Sequence, residues 1–268
     1  MIWINGVISD QIDATDRSFN YGDGGFTTIR TIDGKPEHWS LHVERMQDCL
    51  TLLQIPQPNW KQVREWVETA AKSEGLGGVK LLVSRGSGGR GYSPQGINKP
   101  TIVISNFDYP SHYSFWQLEG IELGIAEHKL GINPLLAGRK HNNRLEQVLM
   151  KADMEQQDMP DGVVLDINNH IVETTMANLF WVKGNTLYSP SIEKAGVAGI
   201  ARRLVMIDAQ NMGLKVIIGE FELDHLLSAD QVFITNAILG IAPVTKITHK
   251  SFPIGIITRD LQERINSV

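Results

Sequence analysis

Apolar and polar positions follow two rhythms along this chain. Ile2 to Ile8 alternates around Asn5-Gly6, a two-residue turn signal that predicts a short hairpin. Phe26 to Ile32 reads as a strand that turns at Asp33-Gly34. The period then changes. Ser40 is expected to cap a helix whose apolar face is Val43, Met46, Leu50 and Leu53, ended by Pro56 and Pro58. A second helix is expected from about Trp60 to Ser73, stopping at the glycines of EGLGG. Val79 to Ser84 and Thr101 to Ser105 read as buried strands flanking a glycine-rich loop, RGSGGRGYSPQG.

The segment DYPSHYS then breaks the pattern. It predicts an N-terminal α+β domain over 1–107, a linker over 108–118 and a C-terminal α+β domain over 119–268. The second half mixes strands near Leu123, Val163, Leu179, Val216 and Phe233 with helices over about 142–157 and 199–212. In the first of these, Leu145, Val148, Leu149 and Ala152 form an apolar stripe, with Asn142 or Asn143 as the expected N-cap. Many strands, few regular βαβ repeats and two halves predict an α+β protein with its site between the domains.

Bulk properties narrow the classes. At 268 residues, 42% hydrophobic and 21% charged, the chain reads as an ordinary globular protein, and a net charge of -5 argues against general nucleic-acid binding. The single cysteine, Cys49, excludes an internal disulfide and a cysteine-based zinc cluster. Its place in an apolar helical pattern predicts a buried, inert thiol. No basic leader precedes an apolar run, and no stretch approaches the ~20 residues that cross a bilayer. The expectation is a cytoplasmic enzyme. Eight histidines include no HExxH motif, which disfavours a metal hydrolase.

Four places carry candidate chemistry. Lys140, in GRKHNNRLEQVL, falls just before a predicted helix, whose positive end disfavours a protonated amine. A lysine made partly neutral is what Schiff-base chemistry needs. Arg45 sits one helical turn after His42 in HVERM, and an arginine fork suits a phosphate. Glu173 ends a short strand in HIVETTMANLFWV, where a buried carboxylate suits a protonated pyridine nitrogen. AGVAGIARRL opens a helix, so the N–H groups of Ile200 and Ala201 suit an anion. Taken singly, each has a plain structural reading: a solvated lysine, a surface arginine, a strand-end acid, a helix start.

Taken in order, HxxR, RK, VETTxxNLF, GIxR and FITNA, these motifs resemble the fold-type IV pyridoxal-phosphate family. The likeness runs from DRSFNYGDGGFTTIR through APV, nearly the whole chain. It implies that Lys140 is the catalytic Schiff-base lysine, Glu173 the partner of the pyridine nitrogen and Arg45 a phosphate ligand. Ile200 and Ala201 would bind phosphate through the backbone, as would Asn236 and Ala237 from a second loop. Aminotransferases of the family often place a hydroxyl residue in that loop; here Ala237 offers only its N–H. The resemblance also implies pyridoxal 5'-phosphate as cofactor, a small-molecule substrate and a homodimer.

Within the family, SRGSGGRGYSP, YGDGGFTTIR and GRKHNNRLEQVL are similar to the branch of aminodeoxychorismate lyases rather than to the aminotransferases. That branch eliminates pyruvate from a substrate with two carboxylates. Arg90 and Arg85, on the glycine-hinged loop, are the candidate carboxylate ligands, with Tyr92 and Thr28 as pocket-lining candidates. Arg144, four residues after Lys140, either faces the site or pairs locally, and His141 reads as structural. The freed Lys140 amine would act as base and then as acid. The competing reading is an aminotransferase for D-amino or branched-chain amino acids, which needs a 2-oxo acid acceptor. From another class, a non-catalytic cofactor or metabolite carrier is disfavoured by the retained lysine.

Overall fold

The computed structural model describes residues 1–266. The chain divides into two units. The first holds residues 1–110 together with 139–144, and the second holds 111–138 and 145–268. The first unit comprises β1 (Ile2–Ile4), β2 (Val7–Ile8), α1 (Arg17–Tyr21), β3 (Gly24–Ile32), β4 (Lys35–Pro36), α2 (Trp39–Leu52), α3 (Trp60–Ala70), β5 (Leu76–Ser84) and β6 (Thr101–Asp108). The expected hairpin is present: Ile4 pairs with Val7 across Asn5 (φ 50°) and Gly6 (φ 83°). A second such turn, Asp33-Gly34, joins β3 to β4.

All six strands pair antiparallel in the order β2-β1-β6-β5-β3-β4. Alternation sets its faces. Ile29, Val79, Leu81, Val83, Ile102 and Ile104 bury one face against Met46 and Leu50 of α2 and Val63 and Val67 of α3. The opposite face presents Phe26, Thr28 and Leu82, half-buried, and Lys80, exposed. Burial of each large apolar side chain stabilises the unit by about 1.5–3 kcal/mol.

Helix α2 departs from expectation at its start. It begins at Trp39 after His38, which adopts a left-handed conformation (φ 47°) and makes no side-chain cap. Ser40 lies exposed in the first turn, and His42 and Cys49 join Met46 and Leu50 on the buried face. Asn59 caps α3 by accepting from the N–H groups of Lys61 and Gln62.

The second unit comprises α4 (His112–Glu119), β7 (Ile121–Ile125), α5 (Leu145–Gln156), β8 (Asp161–Leu165), β9 (Ile171–Thr174), β10 (Asn178–Lys183), β11 (Thr186–Pro190), α6 (Ile200–Asn211), β12 (Lys215–Gly219), α7 (Leu223–Leu227), β13 (Gln231–Asn236), β14 (Gly240–Ile247), β15 (Lys250–Ser251) and α8 (Ile256–Asn266). The strand order is β12-β11-β10-β13-β14-β7-β8-β9, with β15 on β14. Strand β10 explains why NLFWV reads as continuously apolar: Leu179 and Trp181 enter one cluster, Phe180 and Val182 the other. The second cluster lies under α6 and α8, where Val205, Ala209, Leu261 and Ile265 close over stacked Phe180 and Phe233.

Two expectations differ from the structure here, and a third feature was left open by the sequence. Most of the segment expected as a linker is helix α4, whose Trp116 packs on the core of the second unit. The loop with Lys140 belongs to the first unit by its contacts, although its sequence position falls in the second half. The apolar stripe of α5 faces outward: Leu145, Val148 and Leu149 are 71%, 60% and 49% exposed, while Met150, Asp153 and Met154 are buried. Among the described residues, no helix is long and apolar enough to cross a membrane.

Candidate active site

Lys140 is held by β3 of its own unit. Phe26 N–H donates to the Lys140 carbonyl (2.9 Å), and Asn142 N–H donates to the Gly24 carbonyl (2.9 Å), so residues 140–142 form an isolated extra rung on β3. This approach requires glycine at position 25, where a Cβ would lie 2.8 Å from Cys49 Sγ and 3.4 Å from the Lys140 carbonyl oxygen. The asparagines expected to cap α5 serve this docking instead. Asn142 donates to Ser18 Oγ (2.6 Å) and Asn143 to the Gly22 carbonyl (3.1 Å), and α5 starts only at Leu145. Arg144 braces the same loop by donating to the carbonyls of His141 (3.0 Å) and Arg139 (2.8 Å). Local pairing therefore accounts for its position.

The Lys140 ammonium lies 4.6 Å from the centre of the Phe26 ring, which also attracts Lys80 Nζ (4.9 Å) and the Arg144 guanidinium (5.9 Å). The ring quadrupole attracts cations placed over its face. Burial and then the Arg144 charge pull His141 down to about 4, so its ring is neutral at physiological pH. Thr28 shares the face of Phe26, whereas Thr27 points to α2. There the Thr27 hydroxyl meets His42 Nδ1 (2.6 Å) and accepts from Arg45 Nη2 (2.6 Å). Burial lowers the Arg45 guanidinium to about 10.

Arg85 stands elsewhere in function. Its guanidinium is buried and donates to Asp23 (2.7 and 3.1 Å) and to the carbonyls of Leu53 (2.6 Å) and Gln54 (2.9 Å). With its donors spent on the end of α2, Arg85 is a structural residue, and its reading as a substrate ligand is withdrawn. Arg17 completes the arrangement. It donates to Asp23 (2.8 Å) and to the carbonyls of Gly91 and Tyr92 (3.0 Å each), pinning the glycine-rich loop. Burial pushes the Asp23 carboxyl up, but hydrogen bonds from Arg85 and then Arg17 outweigh it and hold the pKa below the usual value. Arg90 is exposed on that loop, and Tyr92, 88% exposed, meets the Tyr21 ring edge-on.

The second unit gathers the acid and the helix start. Glu173, at the end of β9, is buried, and its Oε2 accepts from Val197 N–H (3.0 Å) and Asn178 Nδ2 (3.5 Å). Asp161 secures the following turn by accepting from Thr175 N–H (2.9 Å) and Thr175 Oγ1 (2.6 Å), and burial raises its pKa. Helix α6 begins at Ile200 after Gly199, with no side chain capping it, so its first N–H groups point outward from the helix. A Cβ on Gly199 would fall 2.0 Å from Asn178 Oδ1. Asn236 uses its side chain internally, accepting from Ile238 N–H (3.0 Å) and Leu239 N–H (2.8 Å), which shapes the turn around Ala237. Only backbone groups of this turn are left for a ligand.

Reasoning from sequence alone missed Thr27, His42, Arg17, Asp23 and Asp161. The HxxR spacing held a signal for His42 alone, because it and Arg45, three positions apart, share a helix face.

The class IV amino-transferase profile matches residues 24–247, which span the HxxR, RK, VETTxxNLF, GIxR and FITNA motifs. The chain belongs to the class IV aminotransferase family. Among class IV relatives, the aminodeoxychorismate lyase of Vibrio harveyi is 49% identical over 271 residues, covering 100% of both chains. That of Bacillus subtilis is 30% identical, covering 94% of this chain and 88% of its own. The crystal structure of 4-amino-4-deoxychorismate lyase from Pseudomonas aeruginosa superposes with a TM-score of 0.91 at 32% identity, over 100% of this chain and 98% of that one. The architecture is thus fold type IV, an α+β class with two sheets, as the motif order implied.

Proposed function

We propose that the chain is an aminodeoxychorismate lyase, eliminating pyruvate from 4-amino-4-deoxychorismate to leave p-aminobenzoate for folate biosynthesis. The observation that carries this reading is the end-to-end likeness, at 49% identity, to the Vibrio harveyi lyase. The cofactor proposed is pyridoxal 5'-phosphate, and the donor set fits its three functional ends. Lys140 offers an amine, Glu173 a fixed carboxylate, and Arg45 with the uncapped start of α6 at Ile200 and Ala201 offers donors for a phosphate. Backbone N–H groups at Asn236 and Ala237 would add to the last. When bound, the cofactor supplies an aldehyde for amines and a ring that takes up an electron pair.

The chain's own residues do the rest. Lys140 would hold the cofactor at rest, and its amine, once free, would take the proton from the amine-bearing ring carbon and hand a proton to the departing group. Glu173, held by Val197 N–H and Asn178, keeps the pyridine nitrogen protonated. Arg90, Tyr92 and Thr28 are the proposed substrate contacts. Because the cofactor ends as it began, turnover needs no 2-oxo acid.

A homodimer is proposed as the working form. Its support is the outward apolar stripe of Leu145, Val148 and Leu149, a kind of surface that marks interaction sites. A cytoplasmic location is proposed with it, and the single buried Cys49 makes no internal disulfide that would need an oxidising compartment. To test the activity, the protein is mixed with aminodeoxychorismate in the absence of any 2-oxo acid, and p-aminobenzoate and pyruvate are followed. Equal release over many turnovers is expected. No release, with amino-group transfer once a 2-oxo acid is added, would make the chain an aminotransferase instead.

A further inference from the structure

Thr27 occupies a position that the proposed chemistry does not use. It is fully buried, on the α2-facing side of β3, and its hydroxyl has two partners: His42 Nδ1 and Arg45 Nη2, both at 2.6 Å. His42 and Arg45 stand three residues apart on α2, so one hydroxyl meets both.

The charges dictate the direction of the hydrogen bonds. A guanidinium only donates, so Thr27 Oγ1 accepts from Arg45. The Thr27 proton then needs an acceptor, and the lone pair on His42 Nδ1 is the one within reach. Were Nδ1 protonated, two donors would converge on one oxygen while a buried O–H pointed at nothing, an arrangement that costs about 1–3 kcal/mol. Burial first, and then the charges of Arg45, His38 and Lys140, hold the imidazole well below its ordinary pKa, so the ring is neutral, and the contact with the Thr27 hydroxyl then places its one proton on Nε2.

We infer that Thr27 is a positioning residue: backed by the Nε2–H tautomer of His42, its hydroxyl aims the Arg45 guanidinium at the anion it binds. The inference rests on the proposed role of Arg45 as a phosphate ligand. Thr27 is suited to the task because a β-branched side chain in a central strand has few rotamers to choose from. A serine would supply the same hydroxyl with more freedom, and a valine the same shape without it.

The test uses full-length protein stripped of cofactor and titrated with pyridoxal phosphate, together with the imidazole 15N shifts of His42. The variants are Thr27→Val, Thr27→Ser and Arg45→Gln. Thr27→Val should stay folded, judged by a single cooperative melting transition, yet raise the dissociation constant about tenfold, the effect of one charge-assisted hydrogen bond. Thr27→Ser should recover most of that loss. In the parent protein His42 should show a protonated Nε2 and a bare, hydrogen-bonded Nδ1, and Thr27→Val should move the Nδ1 resonance. Unchanged affinity in Thr27→Val beside a loss in Arg45→Gln would overturn the positioning role alone. No loss in either variant would overturn the phosphate role of Arg45, and the function of Thr27 with it. A protonated Nδ1 in the parent protein would overturn the proposed direction of the hydrogen bonds.

Discussion

Replacing Asp23 by Asn removes a single negative charge from between two buried arginines. Three hydrogen bonds converge on that carboxylate: Arg17 Nε at 2.8 Å, Arg85 Nε at 2.7 Å and Arg85 Nη2 at 3.1 Å. The side chains are 3%, 6% and 13% exposed for Arg17, Arg85 and Asp23. An exposed ion pair is worth at most about 1 kcal/mol. Leaving a buried charge without its partner costs about 3–5 kcal/mol, and the low exposure here puts Asp23 in that class. At about 2–4 °C per kcal/mol for a chain near this size, Asp23→Asn should lower Tm by roughly 6–20 °C.

Urea unfolding followed by tryptophan emission reads this directly, since Trp3, Trp39, Trp60 and Trp66 all pack in the unit that holds Asp23. The sign with pH is fixed by the lowered pKa of Asp23. Its stabilisation is complete above the unfolded value of about 4 and is lost as pH falls through the lower folded value. The gap between parent and variant should therefore narrow in acid. A loss under about 1 kcal/mol at pH 7, or a gap that persists unchanged in acid, would refute the reasoning.

Gly199→Ala places a Cβ 2.0 Å from Asn178 Oδ1 and must displace the amide that binds the Val197 carbonyl and leans on Glu173. Cofactor affinity should fall about tenfold, from a lost bond worth about 1 kcal/mol and a shifted helix start, by absorbance titration; wild-type affinity would detach this helix start from the phosphate. Arg90→Ala should raise KM for aminodeoxychorismate about tenfold or more at unchanged cofactor content, as expected for a lost charged hydrogen bond. Cofactor loss instead would assign Arg90 to the fold. Leu145→Glu with Val148→Glu puts two charges on the exposed stripe of α5 and should shift sedimentation from dimer to monomer; an unchanged mass would place any interface elsewhere.

Local chemistry was the most legible part of this fold. Asn5-Gly6 and Asp33-Gly34 announce their turns because the positive φ they adopt is a property of those residues themselves. Strand β10 was legible because burial on both faces leaves a continuous apolar run. The stripe on α5 was legible as a stripe, while its outward orientation was not: periodicity reveals an apolar face and is silent about what covers it. Ser40 was preferred as a cap by residue type, yet the chain enters α2 through a left-handed His38, two residues after β4.

The candidate site divides the same way. Lys140, Glu173 and the start of α6 stand on motifs, and motifs are visible in sequence. What holds them is not. Arg85 resembled a ligand because its partner, Asp23, lies 62 positions away. The lysine loop looked like part of the second half because its tie to β3 exists only after folding.

The central claim is that pyridoxal phosphate is carried on Lys140. Reducing the purified enzyme with borohydride fixes any such bond permanently, and peptide mass mapping then locates it. The account predicts a phosphopyridoxyl group on the peptide containing Lys140, in proportion to the cofactor bound. A fully loaded enzyme whose Lys140 peptide stays unmodified would contradict it.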